Sequence, residues 1–465
     1  MASVTHGRGV GKREPIRDVT GLTGQWTAAE IEAACQACGY RWRERFWTPL
    51  QTIWVFLLQV LHVGSSCRDA VAMALAGDAA TGVGKLPSTH PSAYVQARRR
   101  LPLAVLRDGV RTVGQRLHDQ VSPMLRWCGR RVWVVDGSSG SMPDTPDLQA
   151  AFSQPTGQAA GCGFPVAKIV AMFCWASGAV MGVAIGPWWE SELPLWRGLW
   201  HLLRPGDVLL GDRFYCTFAD LVGLIRRGCD GVFRLHQRRP ADFRFGKRLG
   251  RYDRLVTWKK PTWHARPRGM KRREWKRLPE QLSVRLIRIH ADIPGFRSRV
   301  LTVATSLLDP TAYPRERIAA LYRDRWMTEL RLRDIKQTLG MDVLRGKSAD
   351  IVRKEIYTHL LAYNLIRALM WQAAIEHGVH LHRLSFAGTV DRLNAVTPYL
   401  RLFHGDSRAR TIYRWLLQSI ASDPVPERPN RIEPRAVKRR PKEYPRMTKP
   451  RAVLRKQLQS QHVRA

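Results

Sequence analysis

The sequence lacks an apolar run long enough to cross a membrane. Its longest apolar stretch, from Ile53 to Leu61, falls well short of the roughly 20 residues that a spanning helix needs, and it contains Gln59. The N-terminal residues MASVTHGRGVGKREPIRD also lack the apolar core of a secretory signal peptide. We therefore expect a soluble, cytoplasmic protein that has no membrane partner.

The sequence also lacks the paired spacings of a zinc finger. Of its eight cysteines, Cys35 and Cys38 form a CxxC that no second cysteine pair or histidine pair accompanies. A structural zinc ion needs four ligands, so this pair is better explained as part of a helix. Because nothing marks the chain as secreted, we expect reduced thiols.

Acidic side chains are scarce in this chain. It has 38 Asp and Glu against 76 Lys and Arg, which gives a formal net charge of +38. Such a surface repels itself unless a polyanion neutralises it, so nucleic acid is the expected partner and binding should depend steeply on salt. A ribosomal or chromatin-packing protein is the simpler alternative, but those are usually shorter and poorer in aromatics. The 45% hydrophobic content and the 17 tryptophans indicate a globular protein with large cores, base-stacking surfaces, or both.

The first third of the chain has helical patterns. Thr27 and Glu30 form a capping box at the start of one helix. In SAYVQARRRLPLAVL, three arginines fall at one helix end, namely Arg98, Arg99 and Arg100. They face DNA in one interpretation and form the solvated face of a plain helical bundle in the other.

The sequence pattern changes near residue 131, where short β-branched runs begin. The order is strand, hairpin of two strands, helix, strand, helix and strand, which predicts a mixed α/β sheet with flanking helices. A basic, tryptophan-rich stretch follows and is interpreted as a β-rich insertion. Its Trp258, Trp263 and Trp275 either stack on unpaired bases or fill a small β core.

These changes divide the chain into seven predicted segments. They are a flexible basic N-terminus (1–20), a helical DNA-binding domain (21–125), the first part of a catalytic domain (126–237), the β-rich insertion (238–300), the second catalytic part with following helices (301–400), a helical segment (401–423) and a disordered basic tail (424–465).

Two of the scarce acids close apolar strands. Asp136 follows RVWVV and Asp212 follows DVLLG, so each is expected at the end of a strand, where ligands bind in open α/β sheets. An Asp after a strand is also a common turn residue. On strands that can lie side by side, however, the pair suits Mg²⁺, which prefers oxygen ligands. Enzymes that cut phosphodiesters commonly hold two such ions about 4 Å apart.

A third acid lies in the charged stretch YRDRWMTELRLRDIK. A regular α-helix would place four polar side chains of this stretch within roughly 60° of one another, beside an apolar stripe. They are Tyr322, Arg325, Glu329 and Lys336. Glu329 could then face Asp136 and Asp212 while the bases hold phosphate oxygens. The alternative is a solvated helix with an ordinary Arg325–Glu329 ion pair.

The spacing Y-x2-R-x3-E-x6-K resembles the signature of the bacterial insertion-sequence-four family of DDE transposases. Four other stretches are similar to that family: VVDGSSGSMPDTPDLQAAF, GQAAGCGFPVAKIV, DVLLGDRFY and VRKEIYTHLLAYNLIRAL. The resemblance extends over roughly residues 90 to 400. Other ribonuclease H-like nucleases share the acids but not this spacing.

The resemblance implies a ribonuclease H-like mixed sheet, with the β-rich insertion before the last catalytic helix and a helical N-terminal domain. The implied catalytic and metal-binding residues are Asp136, Asp212 and Glu329, with two Mg²⁺ ions that Mn²⁺ can replace. The implied contacts to transposon-end DNA are Tyr322, Arg325 and Lys336, with Arg213 and Arg234 as further candidate phosphate contacts. Asp144 is a rival metal ligand in a turn-like PDTP, and Trp326 is expected to pack in the core.

The implied reaction is transposition. A nucleoid-associated homodimer would bind double-stranded DNA at terminal inverted repeats, cut a strand with metal-activated water, and direct the freed 3′-OH at a second phosphodiester in the element or in target DNA. Two alternatives stay open: a sequence-specific repressor without catalysis, and a ribonuclease H-like nuclease without strand transfer.

Overall fold

A computed structural model gives the fold of most of the chain. The described residues are 25–80, 87–120, 125–239, 241–262, 266–290, 300–426 and 446–462. The predicted N-terminus (1–20) and Trp263 lie outside the described residues. Within the described part, no helix combines the length and the apolar character needed to cross a bilayer.

Helices precede the first strand, as the sequence patterns predict. They are α1 (Ala28–Ala37), α2 (Pro49–Leu61), α3 (Cys67–Ala80), α4 (Ser92–Arg100) and α5 (Leu103–Asp119). The predicted capping box opens α1, since the Glu30 N–H donates to Thr27 Oγ1 (3.3 Å) and the Thr27 N–H donates to the Glu30 carboxylate (2.8 Å).

The three arginines at the end of α4 do not share one environment. Arg98 is buried, donates to Gln59 Oε1 (2.8 Å) and stacks on the Phe56 ring, so it is a core residue. Arg99 and Arg100 are exposed. Only these two side chains can face DNA.

The strands of the described chain form a single sheet. They are β1 (Val132–Ser141), β2 (Val166–Cys174), β3 (Val180–Pro187), β4 (Val208–Gly211), β5 (Asp230–Arg234), β6 (Lys247–Gly250), β7 (Asp253–Lys259), β8 (Gln281–His290) and β9 (Val300–Thr305). Their order is β3-β2-β1-β4-β5-β9-β8-β7-β6. β1, β4 and β5 run parallel and the other neighbours antiparallel. The hairpin beside three parallel strands is the ribonuclease H-like arrangement, so the predicted fold class is confirmed.

Helices cover both faces of this sheet. Those within the sheet region are α6 (Pro146–Phe152), α7 (Glu192–Gly198), α8 (Phe218–Ile225) and α9 (Arg272–Lys276). Those that follow it are α10 (Arg315–Asp324), α11 (Trp326–Arg333), a π-helical turn (Asp334–Thr338), α12 (Ala349–Glu376), α13 (Phe386–Leu402), α14 (Ser407–Ala421) and α15 (Arg451–His462). The helix α15 contradicts the prediction of a wholly disordered tail, since Arg451–His462 is helical; residues 427–445 lie outside the described part.

The predicted insertion extends the main sheet. β8 pairs with β9 and β7 with β8, so these strands continue from β5 without a break. Trp258 and Trp275 are buried, with 6% and 5% of their surface exposed. Both belong to the same core cluster as the central strands, which favours the core-filling interpretation over base stacking.

One buried ion pair lies within this extension, and its arginine also bonds to the segment before the next helix. Arg285 on β8 is fully buried and donates to both carboxylate oxygens of Asp253 on β7 (2.9 and 2.6 Å). A third bond runs to the Tyr313 carbonyl (2.7 Å), just before α10.

Replacing Arg285 by alanine is therefore expected to lower the free energy of unfolding by about 3–5 kcal/mol, because it leaves the buried Asp253 carboxylate unpaired. Urea denaturation followed by circular dichroism measures this change. The matched control is Arg244→Ala, which removes an exposed pair with Asp242 and should leave the midpoint unchanged. Equal midpoints for the two variants would contradict the prediction.

Candidate active site

The two aspartates lie next to each other on neighbouring strands. β1 and β4 pair in parallel, Val132 with Val208 and Val134 with Leu210. Continuing this register by two residues places Asp136 beside Asp212, one strand spacing away, about 4.8 Å between backbones. Asp212 directly follows β4, as predicted, but Asp136 lies within β1 and not at its end, because pairing with β2 continues β1 to Ser141. The sheet order makes β1 and β4 neighbours.

Both aspartates belong to the face of the sheet that α10 covers. Side chains alternate along a strand, so Asp136 shares a face with Val134, and Asp212 shares one with Leu210. Val134 and Leu210 pack in one core cluster with Leu321 and Tyr322 of α10. The helix that carries the third acid therefore continues from an element already packed on the correct face.

The segment that carries the tyrosine, arginine, glutamate and lysine is not a regular helix. α10 ends at Asp324 and α11 begins at Trp326, with a tight bond from the Arg325 N–H to the Tyr322 carbonyl (3.2 Å). Lys336 lies in the π-helical turn, where the Leu339 N–H reaches the Asp334 carbonyl (3.0 Å). The prediction of one regular helical stripe is wrong, because the break and the wider turn change the rotation per residue.

Tyr322 is directed into the sheet. Only 6% of its surface is exposed, and its hydroxyl lies 3.5 Å from the Gly211 carbonyl, immediately before Asp212. Burial raises the pKa of this hydroxyl to about 12. The side chain supports the end of β4, and little of it is exposed for a DNA contact.

Arg325, at the break, lies between two of the acids. Its Nη2 donates to Glu329 Oε1 (2.8 Å), and its Nη1 lies 3.9 Å from Asp136 Oδ2. The arginine side chain is 15% exposed, so these contacts are not simply those of a solvated surface pair. The i,i+4 pair considered as an alternative is present, but it is part of the acid site.

The charges of the other two acids act on Asp136. Burial raises the pKa of Asp136 to about 6, and the negative charges of Asp212 and Glu329 contribute to the rise. Arg325 and the Gly137 N–H oppose it. Perturbation of this kind, by burial together with neighbouring charges at a sheet edge, is typical of functional sites.

Comparison with known proteins identifies the family. The family model described as "Transposase DDE domain" matches residues 127–365. The chain is also 30% identical over 370 residues to the transposase InsG of insertion sequence element IS4 from Escherichia coli (strain K12), covering 78% of this chain and 79% of that protein. The chain belongs to the insertion-sequence-four family of DDE transposases. As a DDE transposase, it is an enzyme that cleaves and transfers DNA strands.

Two further proteins are similar to this chain. The probable transposase of insertion sequence element IS5377 from Geobacillus stearothermophilus is 24% identical over 368 residues, covering 77% of this chain and 86% of that protein. A solved piggyBac transposase synaptic complex with hairpin DNA gives a TM-score of 0.42 at 9% identity, over 86% of this chain and 84% of that one. That structural likeness is too weak to argue from.

DDE transposases use divalent metal, and the donor chemistry of this transposase fits it. Asp136, Asp212 and Glu329 offer only the oxygen atoms that Mg²⁺ prefers. Among the described residues, however, no three His, Cys, Asp or Glu side chains are close enough together to hold a metal ion. Glu329 Oε1 accepts a hydrogen bond from Arg325 Nη2 (2.8 Å).

The other predicted residues of the transposase differ in burial. Arg213 is exposed and donates to Gln237 Oε1 (2.6 Å). Arg234, half-buried at the end of β5, is close enough for its charge to lower the pKa of Tyr322. Lys336 is half-buried seven residues beyond Glu329.

Two side predictions have different outcomes. Asp144 accepts a hydrogen bond from Gln149 (2.8 Å) just before α6, as expected of a turn residue. Trp326 is 39% exposed, so the prediction that it packs in the core is wrong.

Sequence reasoning missed a fourth carboxylate in the transposase. Glu192, the first residue of α7, accepts a hydrogen bond from the Tyr215 hydroxyl (2.9 Å). The available signal was an acid opening an otherwise apolar helix after β3. Without the fold, nothing in that pattern places it near Asp136.

Proposed function

We propose that this transposase binds the terminal inverted repeats of an insertion sequence and that Asp136, Asp212 and Glu329 hold two Mg²⁺ ions, or Mn²⁺, at the phosphodiester that is cut. The observation that carries the proposal is the register of β1 and β4, which makes the two aspartates neighbours beneath the helix of Glu329. Such ions, when bound, lower the pKa of water and stabilise the leaving oxygen. The three carboxylates would fix the positions of the ions.

Arg325 links DNA binding to completion of the acid site. Without DNA its guanidinium neutralises Glu329 and lies beside Asp136. A phosphate of the DNA end competes for the same guanidinium and can bind it through two parallel hydrogen bonds. When the phosphate takes Arg325, the Glu329 carboxylate is free to turn to the two aspartates.

The remaining bases extend the DNA surface around this point. Lys336, Arg213 and Arg234 are proposed as phosphate contacts, and Tyr322, whose hydroxyl is buried against Gly211, is proposed to support the end of β4. The exposed arginines that end α4 are proposed to continue the surface onto the helical domain (21–125). The family suggests a homodimer on paired ends, and the formal net charge of +38 suits a complex holding several duplexes.

Replacing Arg325 by glutamine is expected to have opposite effects on the binding of Mn²⁺ and of end DNA. Binding of Mn²⁺ to the DNA-free protein should tighten, because a cation that competes for Glu329 and Asp136 is gone. Binding of end DNA should weaken and its salt dependence should fall by about one ion, as for a lost phosphate contact. Calorimetry measures the first and fluorescence anisotropy the second.

The control is Arg323→Gln, which removes an exposed arginine two residues away. It should leave Mn²⁺ affinity as in the wild type. An Arg325→Gln protein that binds Mn²⁺ no more tightly than this control would argue against the competition.

The reaction itself is tested with DNA carrying the element's ends, a target plasmid and Mg²⁺. The proposed transposase gives nicked or cut ends followed by joined products. Cuts without joined products would favour the ribonuclease H-like nuclease, and metal-independent binding without cuts would favour the repressor.

A further inference from the structure

Glu192 lies directly behind the candidate acids. Its carboxylate rests against Gly137, the residue that follows Asp136 on β1. A Cβ built on Gly137 would collide with both oxygens and the carboxyl carbon of Glu192. A side chain at position 137 of β1 would therefore displace the Glu192 carboxylate.

Tyr215 holds Glu192 in place. The Tyr215 hydroxyl donates to Glu192 Oε2 (2.9 Å), and its ring is buried, edge-on to Trp196 with centroids 5.1 Å apart. Burial raises the pKa of Glu192, while the Tyr215 hydrogen bond and the charge of Lys168 oppose the rise and that of Asp212 adds to it. The carboxylate thus lies within the electrostatic field of the acid site.

The Glu192–Tyr215 bond joins the two backbone segments that orient the aspartates. Asp136 Oδ1 accepts the N–H of Gly137 (2.9 Å), the residue against which Glu192 rests. Asp212 Oδ1 accepts the N–H of Phe214 (2.8 Å), the neighbour of Tyr215. Each aspartate is held by a local backbone bond, and one side-chain hydrogen bond ties those two places together.

Helix capping alone does not explain why a glutamate is half-buried at position 192. An acid in the first turn interacts favourably with the helix dipole, but it can do so from solvent. Glu316, in the first turn of α10, does this with 76% of its side chain exposed. Glu192 is instead packed between a strand and a tyrosine, where an apolar residue would avoid the desolvation cost.

We propose that Glu192 and Tyr215 are positioning residues for Asp136 and Asp212, holding both aspartates in register from the back of the sheet. Their hydrogen bond fixes the Asp136–Gly137 step relative to the turn after Asp212, so that the two carboxylates present their oxygens at a constant separation. This role rests on the proposed function of the two aspartates.

The test uses the full chain with Glu192→Ala, Glu192→Gln and Tyr215→Phe. Mn²⁺ binding to the DNA-bound protein is measured by calorimetry, and cleavage is measured against Mg²⁺ concentration. Glu192→Ala and Tyr215→Phe should weaken Mn²⁺ binding and raise the half-saturating Mg²⁺ roughly 10-fold, as for other outer-shell partners of metal ligands. Cleavage at saturating Mg²⁺ should fall much less. Glu192→Gln should restore near-wild-type values, since its amide oxygen still accepts the Tyr215 hydroxyl.

Glu316→Gln is the matched control and should match the wild type in every measurement. Wild-type metal dependence in both Glu192→Ala and Tyr215→Phe, with the wild-type unfolding midpoint, would overturn the proposal. So would a Glu192→Gln protein as defective as Glu192→Ala, because the charge and not the hydrogen bond would then matter. Asp212→Ala distinguishes a failure of this proposal from a failure of the proposed function. If Asp212→Ala still cleaves DNA, the proposed function fails, whatever the Glu192 variants show.

Discussion

Asp212→Ala is expected to lower DNA strand cleavage by at least about 1,000-fold, since losing even one group that stabilises transition-state charge costs about 100- to 1,000-fold. Asp136→Ala and Glu329→Ala should do the same, because all three carboxylates serve one centre. The losses should not add in double variants, as expected for residues that act as a unit. Cleavage of end-labelled DNA in Mg²⁺ measures the effect.

Asp144→Asn is the control for this prediction. Asp144 is also an acid in the segment following β1, but its carboxylate accepts a hydrogen bond from Gln149 at the start of α6. It should cleave like the wild type. An active Asp212→Ala protein would show that the metal site lies elsewhere. So would an inactive Asp144→Asn protein with the wild-type unfolding midpoint.

The affinity for end DNA is expected to fall by about 10³ to 10⁵ between roughly 50 and 200 mM salt. This is the range for a protein that neutralises about six to ten phosphates and releases their counterions. The formal net charge of +38 makes such a footprint available. Anisotropy titrations at several salt concentrations give the slope of log affinity against log salt.

Lys336→Ala should make that slope shallower by about one, if Lys336 contacts a phosphate. The loss should be similar for end DNA and for unrelated duplex, because phosphate contacts do not read sequence. A nearly flat salt dependence in the wild type would show that the basic surface is not the binding surface.

The sequence predicts the local parts of this site better than its three-dimensional assembly. Asp136 and Asp212 each end an apolar β-branched run, so the presence of the two strands follows from period and length alone. The continuation of β1 past Asp136 does not, because it depends on pairing with β2. That β1 and β4 are neighbours depends on the order of strands in the sheet, which the family resemblance implies and local patterns do not.

The departures from prediction have physical causes that no single segment reveals. The break at Arg325 occurs where the chain must pack Tyr322 against β4 and still set Arg325 between Glu329 and Asp136. The burial of Trp258 depends on the insertion's strands joining the main sheet, a long-range pairing. The position of Glu192 behind the aspartates depends on a contact between α7 and β1, which helical periodicity cannot show.

The most direct measurement is the structure of the transposase with end DNA and Mn²⁺, located by its anomalous scattering. The account predicts Mn²⁺ between Asp136 and Asp212, with Glu329 turned toward it and Arg325 on a DNA phosphate. Mn²⁺ bound away from these two aspartates, or Glu329 still paired with Arg325 in a complex that cuts DNA, would contradict it.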